Sequence, residues 1–139
     1  MYSLDELPAQ LRTHFLSMPG MQSYTYVTEF PSVKIQNPLT KIMVSFGTGR
    51  VRITTPTDGN GDSIFDSWHN FETEIRVTIH LPRTMSGTDL LLAFSRITTE
   101  MLENCGLDII EISTSGPRYN AKTGTAELVA YYKIFEKVL

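Results

Sequence analysis

Apolar and polar residues alternate without a break over residues 71–81. Phe71, Thr73, Ile75, Val77, Ile79 and Leu81 interleave with Glu72, Glu74, Arg76, Thr78 and His80. A period of two predicts a strand with one buried face and one wet face, and Pro82 closes it. The period then lengthens. Leu90, Phe94, Ile97, Met101 and Cys105 recur at spacings of three and four, the stripe of an amphipathic helix. Ser86 or Thr88 supplies its cap, Asp89 favours its first turn, and Gly106 is its C-terminal stop. Residues 107–113 read as a short apolar strand and 116–124 as a turn region. A last long strand spans 125–136, with Ala126, Leu128, Ala130, Tyr132 and Ile134 on one face.

The first half is less regular. Leu4, Leu7, Leu11, Phe15 and Met18 share a helical face. A cap at Ser3 would put Pro8 too deep in the first turn, so the helix is expected from Leu7 or Pro8 to Met18, with Leu4 packed just before it. Pro19-Gly20 ends it. Residues 24–30, aromatic and β-branched, predict a strand. Segments 41–46 and 50–55 flank Gly47-Thr48-Gly49 and predict a hairpin turning on the glycines. Residues 56–70, PTDGNGDSIFDSWHN, read as a long polar loop that nonetheless carries Ile64, Phe65 and Trp68.

These elements predict one α+β domain over residues 1–139: an antiparallel-rich sheet of about six strands with two helices, one packed across the sheet. The second sheet face is expected to be covered by the first helix or by a neighbouring molecule. At 139 residues the chain can bury a real core.

Composition narrows the function classes. Only 19% of residues are charged, which leaves much neutral surface and suits a subunit that packs against copies or partners. A net charge of −3 gives no electrostatic footprint for sequence-specific nucleic-acid binding. One cysteine, Cys105, cannot close an internal disulfide. No apolar run approaches the roughly 18–20 residues that span a bilayer, so no membrane role is expected. Asp5 and Glu6 stand where a signal peptide would be positive, so synthesis in the cytosol is expected.

Candidate chemistry is sparse. Asp58, Asn60, Asp62 and Asp66 fall at the spacing of the first four side-chain positions of a calcium-binding loop. However, Ser63 replaces the required glycine and His69 the closing glutamate, so a solvated turn is the favoured reading. His14, His69 and His80 lie on a helix, a loop and a strand with no zinc-type spacing. Cys105 continues an apolar stripe and reads as a core residue rather than a nucleophile. No phosphate-binding glycine motif occurs. The residues therefore predict no enzyme, no cofactor and no metal. The rival is a small metal-dependent hydrolase around Asp62, Asp66 and His69. Arg50, Arg52, Arg118 and Lys122, with Lys133 and Lys137, form the candidate basic group; such charges also solvate strand edges.

The "EIRVTIHLP" strand, the "GTDLLLAFSRITTEMLENCGL" helix and the "GPRYNAKTGTAELVAYYKI" close together resemble the bacteriophage tail terminator, or tail-completion, family. There a strand and a short polar connection lead to a sheet-covering helix, then two further strands, the last often preceded by a tyrosine-containing turn like Tyr119-Asn120. The resemblance covers about half the chain, 72–135, and rests on order and length rather than on invariant residues. It implies a virion protein, assembled in the host cytoplasm. In that role it forms a ring, usually of six copies, that caps the tail tube, ends tail polymerisation and offers the head a docking surface. Partners would be the tail tube protein, sheath and head-side connector proteins; another connector or baseplate subunit is the alternative. Ile64, Phe65 and Trp68 would make contacts between subunits. Arg50, Arg52, Arg118 and Lys122 would line the lumen or meet other basic-seeking surfaces.

Overall fold

The computed structural model describes residues 6–28, 41–54, 69–82, 85–121 and 125–138, with backbone alone at 50–54, 69–71, 120, 125 and 136–138. In chain order the elements are α1 (Leu7–Ser17), β1 (Thr25–Thr28), β2 (Met43–Thr54), β3 (His69–His80), α2 (Gly87–Glu103), β4 (Ile109–Thr114), β5 (Arg118–Asn120) and β6 (Thr125–Val138). The six strands form one sheet in the order β1-β2-β3-β6-β4, with β5 also on β6. All pairings are antiparallel except β1 with β2.

The alternation of β3 sets the sheet. Ile75, Val77 and Ile79 are wholly buried and oppose Tyr132, Ala130 and Leu128 of β6. On the other side Val77 and Ile79 oppose Phe46 and Val44 of β2. These residues form one continuous core with Leu7, Leu11 and Phe15 of α1 and Leu90, Ala93, Ile97 and Met101 of α2. Helix α1 packs on β1 and β2, helix α2 on β3 and β6. Phe15 seals the α1 half, stacking on Tyr26 at 5.4 Å and on Phe46 at 5.3 Å between centroids. In the α2 half, Thr98 Oγ1 and the buried Tyr132 hydroxyl share a hydrogen bond of 2.8 Å.

Both helices therefore lie on the same face, so α1 is not the cover of the second face, one of the two expected there. The cause is visible in the residues: Tyr26, Val44 and Phe46 turn their side chains to the face that β3 buries, so α1 finds its apolar partners there. The helices are tied together by His14 Nε2 and Glu100 Oε1 at 2.8 Å. Among the described residues, no helix is long and apolar enough to cross a membrane.

A second correction concerns the expected hairpin at Gly47-Thr48-Gly49. Residues 43–54 form a single strand, β2, running along β3 from the Met43–His80 pair to the Thr54–Asn70 pair. Two-residue hairpin turns of the favoured types need positive φ. Among the described residues the positive-φ glycines are Gly20, Gly106 and Gly116, and neither Gly47 nor Gly49 is among them. Instead the register shifts between Thr48–Ile75 and Val51–Thr73, which sets Gly49 and Arg50 against Glu74 alone, a β-bulge. Six strands are present among the described residues, but not the six that the pattern predicts. Two expected strands merge into β2, and β5 appears inside the expected turn region.

The bulge needs its glycine. A Cβ at Gly49 would lie 3.1 Å from Glu74 Cβ, 3.2 Å from its Oε2 and 3.4 Å from its carbonyl oxygen. Glu74 sits on a strand held on both sides, so its backbone cannot recede. Gly49→Val is expected to lower stability by about 1–3 kcal/mol, with Gly49→Ala milder, as read by urea denaturation. Equal midpoints for Gly49→Val and the parent would show that the bulge has room to spare.

Candidate functional site

The helix-free face of the sheet carries the polar residues of each alternating strand. Its most enclosed part is a row across four strands. Met43 opposes His80, His80 opposes Glu127, and Glu127 opposes Arg118. Glu127 is 4% exposed, and a carboxylate so buried demands charge-assisted partners. His80 Nδ1 lies 3.3 Å from its Oε2, and Arg118 brings Nε and Nη2 to Oε1, each at 3.3 Å. One step along, the Ser45, Thr78 and Val129 row is uncharged. Further on, Glu74 and Glu111 flank Lys133 in register, and Lys133 Nζ reaches Glu111 Oε2 at 3.2 Å. That last pair is largely solvated and contributes little to stability.

The electrostatics of the row follow from its burial. Desolvation lowers the His80 pKa from its ordinary 6.5, and the nearby Glu127 carboxylate opposes that shift without reversing it. His80 is thus neutral near pH 7, with its Nδ1 beside the Glu127 carboxylate. The arrangement can hold a carboxylate in place and tie the short β5 strand to the sheet centre.

Two further polar points lie on the helix side. Glu100 joins α1 to α2 through His14, and its Oε2 accepts from Asn104 Nδ2 at 3.0 Å. Cys105 is buried beneath this end of α2, and burial, followed by the Glu100 charge, pushes its thiol up to about 12. A thiol so protonated is no nucleophile at neutral pH, so Cys105 packs as its place in the stripe predicts. Among the described residues, no group of three or more His, Cys, Asp or Glu could hold a metal ion.

Of the residues singled out by sequence, Ile64, Phe65, Trp68 and Lys122 lie outside the described residues, as do Asp58, Asn60, Asp62 and Asp66. Arg50 and Arg52 are placed by backbone in β2, where Arg52 is in register with Glu72, and His69 begins β3; their side chains are outside the description. Arg118 is described: it extends from β5, is 61% exposed along its side chain, and bonds Glu127. The sequence pattern brought out Arg118 but missed Glu127 and its pairing with His80. The only signal for Glu127 was its position on the odd-numbered face of the last strand. Pairing it with His80 requires the β3–β6 register, and no hairpin links those strands in sequence.

No model of a known protein family matches the chain, and no curated protein matches it significantly.

Two outcomes follow for this site. Because the folded His80 pKa is lowered, the unfolded chain binds more protons in the window below 6.5, so stability falls as pH drops through it. His80→Gln is expected to flatten that part of the profile; parallel urea-denaturation profiles between pH 7.5 and 5 would remove His80 as the cause. Cys105 is expected to react with a thiol reagent only after denaturation; prompt reaction of the native chain would contradict its burial.

Proposed function

We propose that this chain is a structural protein of a phage particle. It assembles as a ring, usually of six copies, that caps the tail tube, ends tail polymerisation and presents a docking surface to the head. The observation that carries this reading is the order β3–α2–β4–β5–β6 with α2 laid across β3 and β6. That order parallels the strand, sheet-covering helix and closing strands of the terminator resemblance, with three strands after the helix instead of two, β4 and β5 lying along one side of β6. The surface chemistry supports it. Leu91, Leu92, Leu102, Ile110 and Tyr119 are each at least half exposed, apolar side chains that contacts to copies and partners could use. The chain works by shape: it needs mating surfaces and no bond-breaking step.

In this reading Ile64, Phe65 and Trp68 are the contact anchors, because aromatic side chains in the middle of an interface carry much of its energy. Arg50, Arg52, Arg118 and Lys122 face the lumen or the basic side of the contact. The tail tube protein is the first partner, with sheath and head-side connector proteins beyond it.

Electron microscopy of the purified chain, alone and mixed with tail tubes, tests the role directly. Rings seated at tube ends support it, and tubes whose ends stay bare overturn it; the same images separate a terminator from a connector or baseplate subunit. Trp68→Ala is expected to weaken ring assembly by about 2 kcal/mol or more, roughly thirtyfold. An unchanged mass distribution in light scattering would remove Trp68 from the interface.

A further inference from the structure

Among the described residues the sheet has two edges, β1 and β4, and they differ. The Thr25 N–H points to β2, donating to the Ile42 carbonyl at 2.9 Å. Backbone groups alternate along a strand, so those of Tyr26 point away from β2, to the edge. Arg12 of α1 reaches down and donates its Nε–H to that Tyr26 carbonyl at 2.8 Å. A charged side chain laid over the outward acceptor of a four-residue strand is a device that refuses further strands.

Among the described residues the β4 edge has no such cover. The Ala126 carbonyl accepts from Leu81 N–H, on the β3 side. Even-numbered residues of β6 therefore direct their backbone groups to β3 and odd-numbered ones to β4. Phe135 N–H accordingly donates to the Asp108 carbonyl. Glu111 and Ser113, in register with Lys133 and Tyr131, turn their backbone groups inward, and Ile112 and Thr114 turn theirs outward. The strand reads IIEIST, with three β-branched isoleucines, one charge and no proline, which is the composition of a strand that accepts a partner.

We propose that the β4 edge pairs antiparallel with the β4 edge of a second copy, about a two-fold axis at Ile112. Of the two terminal strands in the sheet order, β1 carries Arg12 on its outward Tyr26 carbonyl and β4 shows no such contact among the described residues; a β4–β4 contact is isologous and stops at two chains instead of growing into an open sheet. In this register the outward N–H and C=O of Ile112 exchange bonds with those of the other copy's Ile112. Glu111 faces Ser113 across the seam, so the single charge of the strand never meets its like. The seam is distinct from the head-to-tail contacts that close a ring, and it does not rest on the proposed role.

Substitutions at exposed Ser113 give the register a signed test. Ser113→Glu sets two carboxylates against Glu111 across the seam, and Ser113→Lys sets two ammonium groups there. Cross-strand pairs of this kind, counted twice by symmetry, shift association by roughly 2- to 30-fold, weaker for Glu and tighter for Lys. Ile112→Pro deletes the outward N–H and is expected to weaken association at least about tenfold beyond Ile112→Ala, which loses the same side chain and keeps the donor. Sedimentation equilibrium reads all four, with circular dichroism checking the fold; if the proline variant misfolds, the Ser113 pair decides. A parent chain that stays monomeric, or Ser113 variants that move together or not at all, would overturn the seam.

Discussion

The register of β3 is the constraint on which the other elements rest. Its twelve residues are paired on both sides, with β6 along its whole length and with β2 along nearly all of it. Ile75, Val77 and Ile79 on one face and Glu74, Arg76, Thr78 and His80 on the other leave no tolerance for a one-residue slip, which would exchange the two sets. Once β3 buries its isoleucine–valine face, β6 must present Leu128, Ala130 and Tyr132 to the same side, and β2 must present Val44 and Phe46. Both helices then have a single apolar surface to cover, and they sit side by side on it. The His14–Glu100 contact is the consequence of that crowding, since two helices on opposite faces could not exchange it.

What was legible in the residues is what depends on local period. β3, α2 and β6 emerge from spacing alone, and α2 is capped by Ser86, whose N–H donates to Asp89 Oδ2 at 2.9 Å. The expected α1 is within one residue of the observed helix. The glycines of β2 misled because a glycine pair between β-branched segments has two meanings, a turn or a bulge. The choice is made by whether a partner strand runs past it. Here β3 does, and Glu74 fills the space that a Cβ at Gly49 would take. Strand partners were not legible at all. β3 and β6 are separated by α2, β4 and β5, so the pairing that buries Glu127 against His80 is a property of the fold and leaves no local trace.

Confining the core to one face also explains the chemistry of the other. With no described element layered above it, a central strand still encloses what lies between its neighbours' long side chains, so Ser45, Val129 and Glu127 are nearly as buried as core residues. Glu127 accepts that burial because His80 and Arg118 approach from opposite sides along one cross-strand row. The same row anchors β5, a strand of three residues paired only with the start of β6, which backbone bonds alone would hold weakly. Arg118 is thus divided between two duties. Its guanidinium closes the row, and its exposed remainder stays at the surface where a partner can reach it.

The two edges of the sheet bear on how copies can meet. A ring that caps a tube is polar: one side meets the tube and the other the head, and every subunit points the same way. A two-fold seam reverses the direction of the chain it joins, so a β4–β4 contact cannot stand between neighbours of one such ring. It can join two free chains, or two rings back to back, and in either case it must open before one of those sides docks elsewhere. Arg12 has a matching part in this scheme. Its bond to the outward Tyr26 carbonyl disfavours a head-to-tail β1–β4 sheet from copy to copy, so in the proposed ring the cyclic contacts would fall to side-chain surfaces.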